Sequence, residues 1–285
     1  MTEHTIRLLI ACPDARGIIA AVAAFISRYD GNILDADQHV DPEHGEFFMR
    51  VEIDPAGFRL NQDNFQDAWQ PLADQYDMRW QVHWGTSMRR MAVFVSRASH
   101  CLADLLWRHE YGEIKADIPL VISNHPDLRE SVERRGIAFH HLPVAADNKT
   151  AQEDRASSLL RDAQVDFIVL ARYMQILSPD FVARFPNCII NIHHSFLPAF
   201  GGARPYRQAF ERGVKIIGAT SHYVTDDLDE GPIIAQQTLA VDHRDAVDDL
   251  VRKGRDLERV VLATAVRLHL EDRILTSRNK TVVFE

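Results

Sequence analysis

The chain has 285 residues, enough for one large domain or two ordinary ones. Its 46% hydrophobic and 26% charged residues describe a soluble globular protein, and a formal net charge of −9 leaves no general basic footprint for nucleic acid. The opening Met1-Thr2-Glu3-His4 is not a basic region leading into an apolar one, and no segment approaches the length of a bilayer span, which predicts a cytoplasmic protein and no membrane partner. Cys12, Cys101 and Cys188 are odd in number, far apart and free of Cys-x-x-Cys spacing, so they read as buried free thiols.

From Thr5 to about Trp84 the pattern is strand, helix, strand, strand, helix, strand. Ile6, Leu8, Ile10 and Cys12 alternate; Ile18, Ile19, Val22, Phe25, Ile26 and Tyr29 recur at helical spacing; Phe47, Met49, Val51 and Ile53 alternate again. Phe65, Trp69, Leu72 and Tyr76 form a second helical face, and Met78, Trp80, Val82 and Trp84 one side of a last strand. This is a ferredoxin-like βαββαβ unit, placed over residues 1–85. Its first turn, Cys12-Pro13-Asp14-Ala15-Arg16-Gly17, resembles the loop of ACT domains, modules that often bind amino acids between two copies. That resemblance implies an amino-acid effector at Asp14 and Gly17 and a homo-oligomer; the local alternative is a helix cap at Asp14 and a tight turn at Gly17.

After the polar connector Gly85-Thr86-Ser87-Met88-Arg89-Arg90 the pattern becomes alternating strands and helices over 86–285. Met91 to Ser96, Ile118 to Asn124, Ile137 to Leu142, Val165 to Ala171 and Cys188 to His193 read as strands of a mostly parallel, Rossmann-like sheet. The turn after the first of them, Ser96-Arg97-Ala98-Ser99-His100, holds no Gly-x-Gly-x-x-Gly, which argues against a dinucleotide. Ala246 to Asp272 predicts a long packing helix, with a short strand within Asn279 to Glu285.

The chemistry concentrates at two strand ends. Asn191-Ile192-His193-His194-Ser195 closes the apolar run Cys188-Ile189-Ile190, so Asn191 and His193 point the same way at a carboxyl end, where α/β sheets bind ligands. Downstream lie His222 and the loop Asp226-Asp227-Leu228-Asp229-Glu230-Gly231-Pro232. An amide to stabilise an oxyanion, an imidazole to supply a proton and a carboxylate to hold water, take its proton or orient the imidazole suit attack on a carbonyl. Adjacent His193 and His194 would face opposite sides of a strand and no His-x-x-x-His helix exists, so no metal is expected.

Three stretches, Ala171 to Pro179, Asn191 to Pro198 and Gly218 to Pro232, resemble enzymes that handle formyltetrahydrofolate, and among them the 10-formyltetrahydrofolate deformylases. Glycinamide ribonucleotide formyltransferases usually carry Pro where this chain has His194, lack the amino-terminal extension, and have a glycine-rich loop for their acceptor's phosphate where this chain has the bulkier Arg97 to His100. The resemblance implies a C-terminal formyltransferase-like domain that releases formate from 10-formyltetrahydrofolate with no cofactor, in one-carbon balance and purine synthesis. It assigns catalysis to Asn191, His193 and Asp229, and pterin binding to the loop containing Met174, Gln175, Ile176 and Leu177. Gly202, in Phe200-Gly201-Gly202-Ala203-Arg204-Pro205-Tyr206, would let backbone approach the ligand or simply allow a sharp turn before a helix at Pro205. His194 would restrict the acceptor side, help place water, or fill space; His222 would contact the site or serve as a core histidine bonded to backbone. A transfer of the formyl group to an amine, and a folate or amino-acid sensor without catalysis, are the alternatives.

Overall fold

Ile6, Leu8, Ile10 and Cys12 lie in β1 (Ile6–Pro13), followed by α1 (Ile18–Arg28), β2 (Asn32–Asp41), β3 (Glu46–Asp54), α2 (Phe65–Gln75) and β4 (Arg79–Trp84). The structure is a computed structural model and describes residues 5–85, 87–145, 148–199 and 205–285. The four strands make an antiparallel sheet in the order β2-β3-β1-β4. Its core joins Ile6, Leu8 and Ile10 of β1 to Val22 and Phe25 of α1 and to Phe65 and Trp69 of α2. Phe25 meets Trp69 edge-on at 4.9 Å and Phe65 stacks on Trp69 at 5.9 Å. Full burial of one such side chain contributes about 1.5–3 kcal/mol, so this aromatic cluster is the main tie between the helices. β2, Asn32-Ile33-Leu34-Asp35-Ala36-Asp37-Gln38-His39-Val40-Asp41, is an edge strand with mostly exposed side chains, which explains why it shows no apolar alternation.

The second part contains β5 (Arg89–Val95), α3 (His100–Glu110), β6 (Ala116–Asp117), β7 (Leu120–Ser123), α4 (Arg129–Glu133), β8 (Ala138–His141), α5 (Lys149–Asp162), β9 (Phe167–Leu170), α6 (Pro179–Val182) and β10 (Ile189–His193). It continues through α7 (Pro205–Arg212), β11 (Ile216–Tyr223), β12 (Ile233–Ala240), α8 (Val247–Leu270), β13 (Ile274–Ser277) and β14 (Lys280–Val283). The sheet runs β12-β11-β10-β9-β5-β7-β8, with β6 beside β5. It is parallel from β8 to β10, and β11 and β12 join antiparallel. The expected Rossmann-like sheet is therefore present, enlarged by an antiparallel edge. Parallel strands are covered on both faces, which is why β7 and β9 are uninterrupted buried runs. Ala92, Phe94, Ile168, Leu170 and Ile189 pack with Ala156 and Leu160 of α5 and Phe181 and Val182 of α6. α8 packs on β10, β11 and β12 and also against α3 and α7. No helix among the described residues is long and apolar enough to cross a membrane.

The chain splits into two compact units, one of residues 1–88 with Glu271–Ser277 and Val282–Glu285, the other of Arg89–Leu270 with Arg278–Thr281. The division read from sequence, at 85/86, did not anticipate the return of the carboxyl terminus to the first unit. The cause is packing and charge: Leu275 and Phe284 bury against Leu9, Ala11 and Phe48, while the buried Arg50 donates to the carbonyls of Glu271 and Asp272.

Candidate active site

β10 ends at the carboxyl edge of the parallel strands, and its register sets Asn191 opposite His222 and His193 opposite Thr220 on β11. The pairing of β11 with β12 shifts register between Ser221 and His222, and His222 is buried. Asp229 follows in a loop where it adopts φ 57°, a left-handed conformation that Asp and Asn tolerate better than most residues. Gly231 makes that loop possible: a Cβ there would lie 1.8 Å from the Tyr223 carbonyl oxygen. The Tyr223 N–H donates to the Pro232 carbonyl at 2.9 Å, pinning the loop to β11.

These constraints bring the three sequence-predicted residues together. His193 Nδ1 lies 3.1 Å from Asp229 Oδ2, and His222 Nε2 lies 3.7 Å from Asp229 Oδ1. Burial alone would raise the Asp229 carboxyl, but its contacts, that with His193 foremost, outweigh it and hold it well below the usual carboxylate range. Asp229 is thus an anion, and His193 Nδ1–H is its donor. That leaves His193 Nε2, which is buried and has no partner among the described residues. An unpartnered ring nitrogen on an otherwise fixed imidazole is the arrangement expected of a group that receives and returns a proton.

His222 is bonded at both of its ring nitrogens. Its Nδ1–H donates to the Tyr223 carbonyl at 2.9 Å, and its Nε2 accepts from Asn191 Nδ2 at 3.1 Å. An amide nitrogen carries two hydrogens, so Asn191 keeps one N–H for a ligand carbonyl while His222 fixes the other.

His194 departs from the expectation of a strand. β10 stops at His193, so the two rings do not take opposite faces; their centroids are 5.1 Å apart. Burial, then the charge of Arg172, then His193 press the His194 imidazole down to about 3, so it is neutral at ordinary pH. Its ring meets the Tyr206 ring edge-on at 6.0 Å.

The loop after β9 divides its predicted ligands. Met174 and Ile176 are exposed, and Gln175 between them is half-buried. Leu177 instead packs on the core containing Phe181 and Leu170. The loop is anchored at both ends: Met174 N–H donates to Ser96 Oγ at 2.9 Å, and Ser178 N–H donates to Glu153 Oε1 at 2.8 Å. Ser178 caps α6 by accepting from Phe181 N–H, with Pro179 at the first helical position. Gly202 lies outside the described residues.

Sequence reasoning missed a second buried cluster beneath this one. Glu258 of α8 is fully buried, accepts from Tyr206 Oη at 2.6 Å and His100 Nε2 at 2.7 Å, and has Arg172 Nε 3.3 Å away. Arg172 has φ 64°, which costs an L-residue about 1–2 kcal/mol. The available signal was a glutamate inside the apolar stripe of α8, between Leu257 and Val261 and four residues after the buried Gly254.

Two groups of potential metal ligands occur among the described residues, His100-Cys101-Glu258 and Asp41-Glu43-His44. In the first, Glu258 is already engaged by Tyr206, His100 and Arg172, and burial pushes the Cys101 thiol far up, so neither presents a free anionic ligand. In the second, Asp41 serves as the acceptor of a surface turn, bonded by His44 Nδ1 and by the Glu43 and His44 N–H groups.

In the amino-terminal unit, Asp14 and Gly17 line a cleft of about 570 Å³ with Ile18, Ile19, Gln38 and Phe47. Gly17 begins α1 at φ 92° with no side-chain cap, so Asp14 does not cap the helix and its carboxylate stays exposed.

Residues 89–266 match the formyl transferase family and residues 6–58 the ACT domain family. A formyltetrahydrofolate deformylase of Synechocystis is 56% identical over 284 residues, covering all of both chains. The crystal structure of a formyltetrahydrofolate deformylase from Pseudomonas syringae, 48% identical, superposes with a TM-score of 0.96 over 99% of this chain and 95% of its own. A glycinamide ribonucleotide transformylase of Symbiobacterium toebii, 34% identical with a TM-score of 0.67, is covered over 97% of its length but spans only 71% of this chain. Likeness along the whole chain, including the ACT domain ahead of the formyl transferase domain, makes this protein a member of the formyltetrahydrofolate deformylase family.

Proposed function

We propose that the protein hydrolyses 10-formyltetrahydrofolate to tetrahydrofolate and formate through Asn191, His193 and Asp229. The observation that carries the mechanism is the fixed His193–Asp229 pair with its unpartnered Nε2. Attack of water on the formyl carbon forms a C–O bond and places negative charge on the carbonyl oxygen, where the remaining Asn191 N–H donates. His193 Nε2 takes the water's proton and gives it to N10 as the C–N bond breaks. Of the roles open to Asp229, orientation of His193 and stabilisation of the imidazolium fit best, because a carboxyl held so far below its usual range is a poor base. Met174, Gln175 and Ile176 offer the surface for the pterin, while Leu177 supports it from the core. His222 fixes the Asn191 amide. No cofactor or metal enters this scheme.

The ACT domain supports regulation by an amino acid, and the Asp14–Gly17 cleft offers an exposed carboxylate for an ammonium beside apolar surface for a side chain. Oligomerisation through this domain is part of the same proposal, as is a cytoplasmic setting. The deciding experiment is formate release from 10-formyltetrahydrofolate by the purified chain, with a chelator and without an amine. Stoichiometric, chelator-insensitive formate is expected; turnover only after adding an amine acceptor would refute hydrolysis in favour of transfer.

A further inference from the structure

Glu258 is far from the chemistry in sequence and unassigned by any likeness, yet it gathers residues from three connections at the carboxyl end of the parallel sheet. His100 opens α3 after β5, Arg172 follows β9, and Tyr206 lies in the first turn of α7 after β10. These strands are neighbours, in the order β10-β9-β5. Glu258 therefore fastens three loops that frame one edge with a single carboxylate. Burial opposes its ionisation, but His100, Arg172 and Tyr206 more than compensate, so it is a buried anion.

The path from Glu258 to the reacting groups is short. The Tyr206 ring, held by its hydroxyl on Glu258, lies across Gly254, where a Cβ would come within 2.1 Å of Cζ. That ring also meets His194 edge-on, and His194 meets His193. The Arg172 guanidinium, ion-paired to Glu258, also bears electrostatically on His194 and favours its neutral form. A neutral imidazole offers one donor and one acceptor, the pair needed to hold a water molecule in a set orientation.

We propose that Glu258 is a positioning residue which, through Tyr206 and Arg172, fixes His194 beside His193 as the group that holds the attacking water. This rests on the hydrolytic reading above and names what makes water the acceptor. It also accounts for a fully buried carboxylate and for a left-handed arginine, neither of which the three catalytic residues require.

The test is a double-mutant cycle on formate release by the full chain, with kcat, KM and Tm measured for wild type, E258Q, H194N and E258Q/H194N. If Glu258 acts through His194, E258Q lowers kcat about 10- to 100-fold with KM within about threefold, and the double variant is no slower than H194N alone. A kcat for E258Q within about twofold of wild type, or losses that multiply in the double variant, would overturn the role, since a merely structural glutamate acts independently of His194. Should E258Q fail to fold, Y206F supplies the same test: it keeps the ring against His194, removes one bond to Glu258, and should show a smaller kcat loss that H194N masks. A wild type that releases no formate overturns the hydrolytic reading and this role with it, whereas an active wild type with multiplying losses overturns this role alone.

Discussion

Asp229→Asn isolates a charge without disturbing shape. Asn tolerates the left-handed backbone that Asp229 adopts at φ 57°, and it is isosteric, so the loop pinned by Gly231 and Pro232 keeps its course. What disappears is the anion 3.1 Å from His193 Nδ1. At an effective dielectric of about 20, unit charges at that separation attract by about 5 kcal/mol, and this energy is realised only while His193 holds the extra proton. Because each 1.36 kcal/mol is a factor of ten, kcat should fall about 10³- to 10⁴-fold, with KM for 10-formyltetrahydrofolate within about threefold. Steady-state formate release read against circular dichroism and Tm separates lost chemistry from lost folding. A kcat within about tenfold of wild type, in a folded variant, would refute the pairing of Asp229 with an imidazolium and return Asp229 to a structural part.

Gly254→Ala should destabilise the chain although alanine is ordinarily better in a helix by about 1 kcal/mol, because the new methyl meets Tyr206 at 2.1 Å; overpacking costs about 1–3 kcal/mol, and calorimetry should show a lower Tm. Acid stability follows from Glu258, whose carboxyl is held below its usual 4.5: its stabilisation is complete above about pH 4.5 and is lost as pH falls through the lower folded value. Tm against pH should therefore drop for wild type below about 4.5 and be flatter for Glu258→Gln over the same window; parallel curves would contradict the buried anion. Asp14→Ala should remove the response of formate release to added amino acids, and a response equal to wild type would place the effector elsewhere than the Asp14–Gly17 cleft.

Local patterning determined the elements. The aromatic spacing of α2 follows from one-sided burial, whereas the apolar runs of β1, β3, β7 and β9 follow from burial on both faces. The Asn191-x-His193 spacing at the end of such a run was enough to mark a site, because side chains two apart on a strand share a face. Other features depended on long-range contacts that no local window contains. The approach of Asp229 to His193 needs β11 to lie antiparallel beside β10, and the proximity of His194 to His193 arises because β10 stops one residue earlier than a continued strand would. The return of Leu275 and Phe284 to the first unit depends on surfaces more than 200 residues away along the chain. Glu258 is the clearest case: in sequence it is one charged residue in a helix, and only tertiary packing gives it His100 of α3, Tyr206 of α7 and Arg172 of the loop after β9. The sequence determined which side chains could do chemistry and which faces had to be buried, since both are properties of residues and their spacing. Tertiary structure decided which of those side chains meet, because a carboxylate's charge state and an imidazole's free nitrogen are set by neighbours that arrive from elsewhere in the chain.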